Sequence, residues 1–343
     1  MHTAAEGDTA AEVDSAALHS EQLRVPIERG ALAMVHKHRA EDRRQGAVVL
    51  IHGFAQNGYV WDLPGRSFAD YLARLGFDVF NLDLRGHGAS RKLGAPTAKR
   101  FEQYVDTDLP AALDVVASLG HERVFLVGHS LGGAVAYATA PLQRERVRGV
   151  VTLSGVFHWG GGTRTVAKLA QVLHRANRLN QRWGVGGIPT IPLDLVGSYL
   201  AKRLRRGQLS FKLPLQGWVP GTIENHVLES WLSRSLDRSS GSILALMGHW
   251  GATGTFCTSD GKRDYGASWA ASGLPVLVIG ADRDLLAHPF RDVKPAYDTA
   301  TAIDRTFRCF GSKGESVGHV DLLIGKRAPT TVWPAISNWL AER

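Results

Sequence analysis

Ser130 lies between two glycines at a point where the character of the sequence changes. The apolar run at 124–127 predicts a buried strand, and the Ala-rich stretch after Gly132 predicts a helix. Gly-x-Ser-x-Gly in a strand–turn–helix context is typical of a nucleophile elbow, where Gly128 and Gly132 allow strand and helix to come close. The pattern predicts that Ser130 is a nucleophile. The N–H of Leu131, at the helix start, is predicted to hold a developing oxyanion.

A serine hydroxyl needs a base within hydrogen-bond reach, and that base needs an orienting carboxylate. In chains with such an elbow these groups follow in the order serine, acid, histidine. Asp282 and Asp284 both follow the predicted strand at 274–279, and we favour Asp284 because one more turn residue brings it clear of the strand end. His319 follows the last predicted strand and is the expected base. The competitor, His288, precedes that strand.

A second oxyanion donor is predicted where the apolar strand at 47–51 runs into His52-Gly53-Phe54. The backbone N–H of Phe54 would point at the reacting carbonyl, and Gly53 would let the main chain pass close to the substrate. We expect His52 and His129 to have structural roles rather than catalytic ones.

Other charged residues receive structural interpretations. Asp83 and Arg85, in a glycine-rich turn after the strand at 77–83, are expected to brace the active-site loops as an ion pair. His36 and His38 share one face of a predicted strand and are expected at the surface, because two histidines alone make a poor metal site.

Strands alternate with helices over most of the chain, which predicts an α/β fold with a mostly parallel sheet covered by helices on both faces. A hairpin over 23–35 comes first. The further predicted strands are 77–83, 147–153 and 303–310, and the predicted helices are 64–75, 101–119 with a kink at Pro110, and 332–341.

The alternation stops between residues 156 and 270. There the pattern predicts helices at 165–177, 193–204 and 222–236 with glycine-rich joints at 160–162, 184–187 and 248–254. We therefore predict an α/β core of 23–155 and 271–343, a helical cap of 156–270, and a disordered tail of 1–22. Six of the nine tryptophans lie in the cap, where they would either line an apolar acyl pocket or pack the cap against the core. They are Trp159, Trp183, Trp218, Trp231, Trp250 and Trp269.

Charge is distributed unevenly over the 343 residues. The net charge is +8, and the segment 156–270 alone holds 14 basic and 6 acidic residues. A basic surface of this kind is a solvated face, or it attracts anionic substrates or an anionic membrane surface. No recognition motif accompanies the charge, so nucleic-acid binding is not expected.

Cysteine usage and the first residues bear on the compartment. Cys257 and Cys309 are the only cysteines, which favours a reducing compartment, and the acidic start of the chain does not resemble a signal peptide. We expect a cytoplasmic protein. No metal or organic cofactor is implied by the residues, and the oligomeric state is open.

Together, these motifs resemble the α/β-hydrolases over residues 23–343. Within that superfamily the chain is similar to the acid-lipase-like group, and the matching stretches are 52–61, 72–79 and 318–325. The resemblance implies hydrolysis of carboxylic esters with apolar acyl groups through an acyl-enzyme. It supports Ser130, Asp284 and His319 as the triad.

Two other functions remain open from the sequence. An acyltransferase or perhydrolase would use the same triad with another acceptor in place of water, and product analysis with competing acceptors separates it from a hydrolase. A non-catalytic ligand-binding protein with this fold is the other alternative, and a fluorophosphonate that failed to label Ser130 would favour it.

Overall fold

A computed structural model describes residues 17–40, 45–183, 189–208, 216–258, 260–311 and 315–343, with the side chains at 177–178 and 180–183 excepted. The predicted joint at 184–187 and most of the predicted tail lie outside these residues. Residues 18–22, which the sequence analysis placed in the tail, belong instead to the first strand.

Eight strands form the central sheet in the order β1-β2-β4-β3-β5-β6-β7-β8. The first two pair as the predicted hairpin, β2 pairs antiparallel with β4, and the strands from β4 to β8 are parallel. The predicted α/β sheet is therefore confirmed. Their bounds are β1 Leu18–Pro26, β2 Ala31–Arg39, β3 Gly46–Ile51, β4 Phe77–Asp83, β5 Val124–His129, β6 Val147–Leu153, β7 Val276–Ala281 and β8 Arg305–Phe310.

Helices cover both faces of this sheet because its inner strands carry apolar side chains on both sides. One apolar layer is closed by Leu109–Ser118 and Leu131–Thr139, and the other by Phe68–Arg74 and Val332–Ala341. In chain order the helices of the core are α1 Phe68–Arg74, α2 Gly88–Lys92, α3 Leu109–Ser118, α4 Leu131–Thr139, α10 Pro295–Thr299, α11 Asp321–Ile324 and α12 Val332–Ala341.

The central segment (residues 156–270) is mostly helical, as predicted, but it contains two helices that the sequence analysis missed. These are α8 and α9; the first includes positions 248–253, which were predicted to be a glycine-rich joint. The helices of this segment are α5 Arg164–Trp183, α6 Leu193–Arg205, α7 Asn225–Arg234, α8 Gly241–Thr253 and α9 Tyr265–Ala271.

Several predicted boundaries require correction. The helix predicted from residue 64 begins only at Phe68, because Arg66–Ser67 forms a short ribbon and the Ser67 hydroxyl accepts the Asp70 N–H as an N-cap. The helix predicted over 101–119 is interrupted as expected, but by a π-helical turn at Tyr104–Asp108. Pro110 lies in the first turn of α3, where its missing N–H costs no intrahelical bond.

The tryptophans of the central segment pack against the core. Trp250 and Trp269 are fully buried with Trp159 in one apolar layer, and Trp218 and Trp231 are buried in the other. Of the two roles considered for these side chains, packing is the one that the described residues support. The side chain of Trp183 lies outside them.

Among the described residues, no helix is both long enough and apolar enough to cross a membrane.

Candidate active site

Ser130 sits at a strained turn between β5 and α4. Its backbone has φ 54° and ψ −119°, which side-chain-bearing residues adopt only where the surrounding fold enforces it. A Cβ at Gly132 would lie 2.2 Å from the carbonyl oxygen of Ile51, and one at Gly128 would lie 2.4 Å from the carbonyl oxygen of Gly132. Both glycines are therefore required where strand and helix meet. The turn leaves Ser130 8% exposed at the carboxyl edge of the sheet.

Asp284 and His319 are brought together by the loops after β7 and β8. Nδ1 of His319 lies 2.7 Å from Oδ2 of Asp284, and both side chains are almost fully buried. The other carboxylate oxygen accepts the N–H groups of Leu286 and Ala287 at 2.8 Å each. These three contacts fix both the position and the rotation of the Asp284 carboxylate.

The competing acid and base are engaged elsewhere. Oδ1 of Asp282 accepts the N–H of Val317 at 2.8 Å, which ties together the loops after the last two strands. Nδ1 of His288 accepts the N–H groups of Phe290 and Arg291 and so caps the turn that follows it.

The loop after β3 lies directly against the elbow. β3 and β5 pair in parallel with Ile51 opposite Gly128, so Gly53 comes beside Ser130. A Cβ at Gly53 would lie only 3.0 Å from Cβ of Ser130. The N–H of Phe54 donates no hydrogen bond within the described residues. The N–H of Leu131, in the first turn of α4, has no intrahelical acceptor either.

Ser130 and His319 lie in the same site without a direct hydrogen bond in the part of the chain that the structure describes. The ring of His129, the residue before Ser130, lies 4.7 Å from the ring of His319, measured between centroids. In enzymes without a bound substrate, catalytic hydrogen bonds are commonly long and shorten when the substrate binds.

His52 and His129 are buried and bonded to the backbone of the site. Nε2 of His52 accepts the N–H of Leu84, so its Nδ1 donates to the carbonyl oxygen of Gly53. Burial, with a smaller contribution from His87, lowers the pKa of His52 to about 3. Burial and then the neighbouring His319 hold the pKa of His129 well below its usual value. Both rings are therefore neutral at physiological pH, and His52 serves to organise the loop.

The predicted ion pair of Asp83 with Arg85 is wrong. Arg85 instead pairs with Asp108, which its Nε and backbone N–H contact at 2.8 and 3.1 Å. Asp83 accepts the N–H groups of Gly58 and Ala89. Burial raises the pKa of Asp83 to about 6 even though these two donors oppose the change.

His36, expected at the surface, is also buried. Its ring stacks on Phe80, and its Nε2 lies 2.9 Å from a carboxylate oxygen of Asp78. His38 is partly buried and stacks on His36.

Asp321 was not singled out from the sequence, yet it anchors the histidine loop. One of its oxygens accepts the N–H groups of Gly318 and Val219, and the other accepts the hydroxyl of Thr222. The loop that carries His319 is thus bonded directly to the central segment. The signal was present, because Asp321 follows two residues after the histidine and an acid there can accept the N–H groups of its own turn.

A family model described as the alpha/beta hydrolase fold matches residues 46–298 of the chain. The poly(3-hydroxyalkanoate) polymerase subunit PhaC of Haloferax mediterranei is 24% identical over an alignment of 370 positions, which covers 99% of this chain and 68% of that protein. Epoxide hydrolase B of Mycobacterium tuberculosis is 38% identical over 116 residues, which is 34% of this chain and 30% of that protein. The mouse gastric triacylglycerol lipase is 30% identical over 156 residues, 40% of each chain. The alignments to the hydrolase and the lipase thus span well under half of those relatives.

Two solved lipase structures share the fold. The monoacylglycerol lipase of Paleococcus ferrophilus has a TM-score of 0.62 at 17% identity, over 95% of this chain and 99% of that one. A soluble variant of the Saccharomyces cerevisiae monoglyceride lipase has a TM-score of 0.65 at 15% identity, over 94% of this chain and 95% of that one.

Proposed function

The chain belongs to the α/β-hydrolase family, and we propose that it hydrolyses carboxylic esters through an acyl-enzyme on Ser130. The observation that carries the proposal is the 2.7 Å contact between His319 and Asp284. It lies at the carboxyl ends of the strands, as does the strained turn that contains Ser130. A nucleophile, a base and an orienting acid are thereby available in one site.

The proposed chemistry begins with His319. Asp284 holds the proton on Nδ1, which leaves Nε2 free to take the proton of the Ser130 hydroxyl as its oxygen attacks the ester carbonyl. The resulting imidazolium then protonates the departing alcohol. In the second half, the same nitrogen takes a proton from water, which attacks the acyl-enzyme and releases the acid.

The oxyanion formed on attack needs donors that do not have to reorganise. The N–H groups of Phe54 and Leu131 are assigned this role because both belong to backbone that packs against Ser130 and neither donates a hydrogen bond to any residue that the structure describes. Each such donor contributes about 3 kcal/mol to lowering the barrier.

We propose esters with apolar, lipid-like acyl groups as substrates. The support is the likeness to proteins named as lipases, both in sequence and in fold. No metal or cofactor takes part in the proposed steps.

A second candidate is acyl transfer to a hydroxyl other than that of water. The polymerase subunit that aligns with 99% of this chain favours it, because making a polyester joins an acyl group to a hydroxyl. The acyl-enzyme is common to both reactions, so only the acceptor distinguishes them.

We further propose that the central segment acts as a cap that contacts anionic membrane surfaces. On α6, Leu195 and Tyr199 are 64% and 60% exposed, and Lys202 and Arg205 follow in the last turn. An exposed apolar face beside cations is the composition that binds anionic lipid. A bilayer would also present the lipid-like substrate.

The catalytic proposal is tested with p-nitrophenyl esters of graded acyl length. Ser130→Ala should lose at least about 10³-fold in kcat, whereas Ser233→Ala, a change at an exposed helical serine, should leave it unchanged. A fluorophosphonate should label the wild type and not the Ser130→Ala variant. Equal turnover by both proteins, or no labelling, would refute the serine mechanism and favour the non-catalytic alternative. Adding an alcohol and measuring transesterified product decides between hydrolysis and acyl transfer.

The membrane contact is tested by sedimentation with vesicles. Binding to phosphatidylglycerol vesicles should fall roughly 30-fold in the double variant Lys202→Gln, Arg205→Gln, because each cation near an anionic surface contributes about 1 kcal/mol. Lys99→Gln, outside the cap, is the matched control. Equal binding of wild type and double variant would refute the contact.

A further inference from the structure

The side chain of Gln56 connects the two halves of the proposed oxyanion site. Its Oε1 accepts the N–H of Gly53 at 3.0 Å and lies 2.9 Å from Nδ1 of His129. Gly53 precedes the proposed donor Phe54, and His129 precedes Ser130. One oxygen atom therefore joins the loop that supplies a donor to the turn that supplies the nucleophile.

The loop geometry brings this side chain back onto its own turn. Ala55 has a positive φ of 54°, and the N–H of Gln56 donates to the carbonyl oxygen of Gly53 at 3.2 Å. This tight turn returns the Gln56 side chain to the Gly53 N–H. Gln56 is only 4% exposed, so water cannot replace its amide oxygen freely.

The ring of His129 lies between two acceptors. Its Nδ1 faces Oε1 of Gln56 at 2.9 Å, and its Nε2 faces the carbonyl oxygen of His319 at 3.2 Å. The low pKa of His129 keeps the ring neutral, so it carries one N–H and donates to one of these two oxygens.

The backbone of Gln56 is held independently of its side chain. It forms an isolated antiparallel bridge with Leu236 of the central segment. On either side, the carbonyl oxygen of Ala55 accepts the N–H of Asp237, and Asn57 donates to the carbonyl oxygen of Ser235. A change confined to the side chain should therefore leave the path of the loop in place.

We propose that Gln56 is a positioning residue that holds the loop carrying Phe54 in place against the Ser130 elbow. This role rests on the proposed serine mechanism and concerns how its oxyanion is held. Oε1 of Gln56 binds the N–H of Gly53, and the carbonyl oxygen of Gly53 accepts the Nδ1–H of His52 and the backbone N–H of Gln56, so both sides of Gly53 are fixed. Without Oε1 the N–H side of Gly53 would lose its acceptor, and the Phe54 N–H would shift relative to Ser130.

The test compares two variants of similar shape. Gln56→Met keeps the length of the side chain and removes the acceptor, whereas Gln56→Glu keeps an acceptor at the same place. We expect Gln56→Met to lose about 10- to 100-fold in kcat with KM changed less than about 3-fold, because misplacing one oxyanion donor affects the transition state and not ground-state binding. Gln56→Glu should stay within about 5-fold of the wild-type kcat.

A substrate pair makes the test specific for the oxyanion. A thionoester places sulfur, a weaker hydrogen-bond acceptor, where the oxoester places oxygen. The ratio of kcat for the oxoester to kcat for the thionoester therefore reports on the oxyanion donors. This ratio is independent of the fraction of folded enzyme. We expect it to fall at least about 5-fold in Gln56→Met and to recover in Gln56→Glu.

The outcomes separate this role from the mechanism on which it rests. An unchanged ratio in Gln56→Met, or a kcat within 3-fold of wild type, would overturn the role of Gln56 while Ser130-dependent turnover persisted. A Gln56→Glu variant as impaired as Gln56→Met would overturn it as well. Equal turnover by wild type and Ser130→Ala would refute the serine mechanism itself, and the role of Gln56 with it.

Discussion

Replacing Asp284 with Asn should show whether this carboxylate orients His319. The substitution preserves shape and removes only a charge and one acceptor. In the structure, one oxygen of Asp284 accepts two backbone N–H groups at 2.8 Å and the other faces Nδ1 of His319. An asparagine would keep its single oxygen on the two backbone donors and turn its NH₂ group toward His319.

That orientation forces the wrong tautomer. With an NH₂ group opposite, Nδ1 must accept, so the ring proton moves to Nε2, where it blocks removal of the serine proton. Rotating the amide back would sacrifice two hydrogen bonds of about 1 kcal/mol each, which leaves roughly one molecule in 30 productive. The productive form also lacks the charge opposite the imidazolium, worth about a further 100-fold. The expected loss in kcat is therefore about 10³- to 10⁴-fold, equivalent to 4 to 5 kcal/mol.

The assay is kcat for a short-chain p-nitrophenyl ester. The matched control is Asp282→Asn, whose remaining oxygen can still accept the Val317 N–H, so its kcat should stay within about 3-fold of wild type. A loss of less than 10-fold in Asp284→Asn, or an equal loss in Asp282→Asn, would contradict the assignment of the acid. Circular dichroism of both variants establishes that the fold is retained.

Three further predictions concern stability. Arg85→Met should lower the free energy of unfolding by about 3 to 5 kcal/mol, because it leaves the buried carboxylate of Asp108 without its cation. Lys294→Met, at a more exposed ion pair, should lower it by less than about 1 kcal/mol. Urea denaturation measures both variants, and equal losses would contradict the burial argument. The pKa of Asp83 is raised by folding to about 6, so its protonated form is favoured in the folded state, and the stabilisation of about 3 kcal/mol that is present below pH 4 should disappear as pH rises through 6. Thermal melts from pH 4 to 7 should show that Asp83→Asn loses about 3 kcal/mol less stability than the wild type over this range, since other buried groups such as Asp292 titrate in both proteins. Identical slopes in the two proteins would contradict the contribution of Asp83. Gly132→Ala should give little folded protein on expression, because its Cβ would overlap a backbone carbonyl oxygen, and a normal yield of active enzyme would refute the close approach.

The sheet was predictable because short segments rich in apolar and β-branched residues alternate with segments of helical pattern. Phe77–Asp83 and Val147–Leu153 have the predicted bounds, and both lie within the sheet with apolar neighbours on each face. The terminal helix Val332–Ala341 was also predicted to the residue, because its apolar positions repeat at helical spacing.

Helix α8 was not predictable from local sequence. Gly248 and Gly251 indicated a joint, but both lie inside the helix where other backbone approaches closely. A Cβ at Gly248 would lie 2.7 Å from the carbonyl oxygen of Ala170, and a Cβ at Gly251 would overlap the carbonyl oxygen of Trp159. Packing against α5 thus outweighs the poor helix propensity of glycine, and no local pattern reveals the partner.

The partner of a charged residue in the site was predictable only where strand order fixes which loops are neighbours. The loops after β7 and β8 are neighbours in the sheet, and they carry Asp284 and His319. Arg85 was assigned to the nearest acid in sequence, yet its partner Asp108 lies 23 residues away. No sequence pattern indicates Gln56, because an amide carries no charge. Its proposed positioning role depends on a fold in which its own loop meets the elbow at Ser130.

The three bonds to Asp321 have a consequence for engineering. Val219 and Thr222 of the central segment bond to the same carboxylate as the turn that carries His319. The central segment therefore cannot be exchanged without affecting that turn. A chimera that replaced Val219 and Thr222 with the corresponding segment of a relative would change these contacts and loosen the turn that carries His319. Grafts should therefore begin after Thr222, so that both residues stay bonded to Asp321.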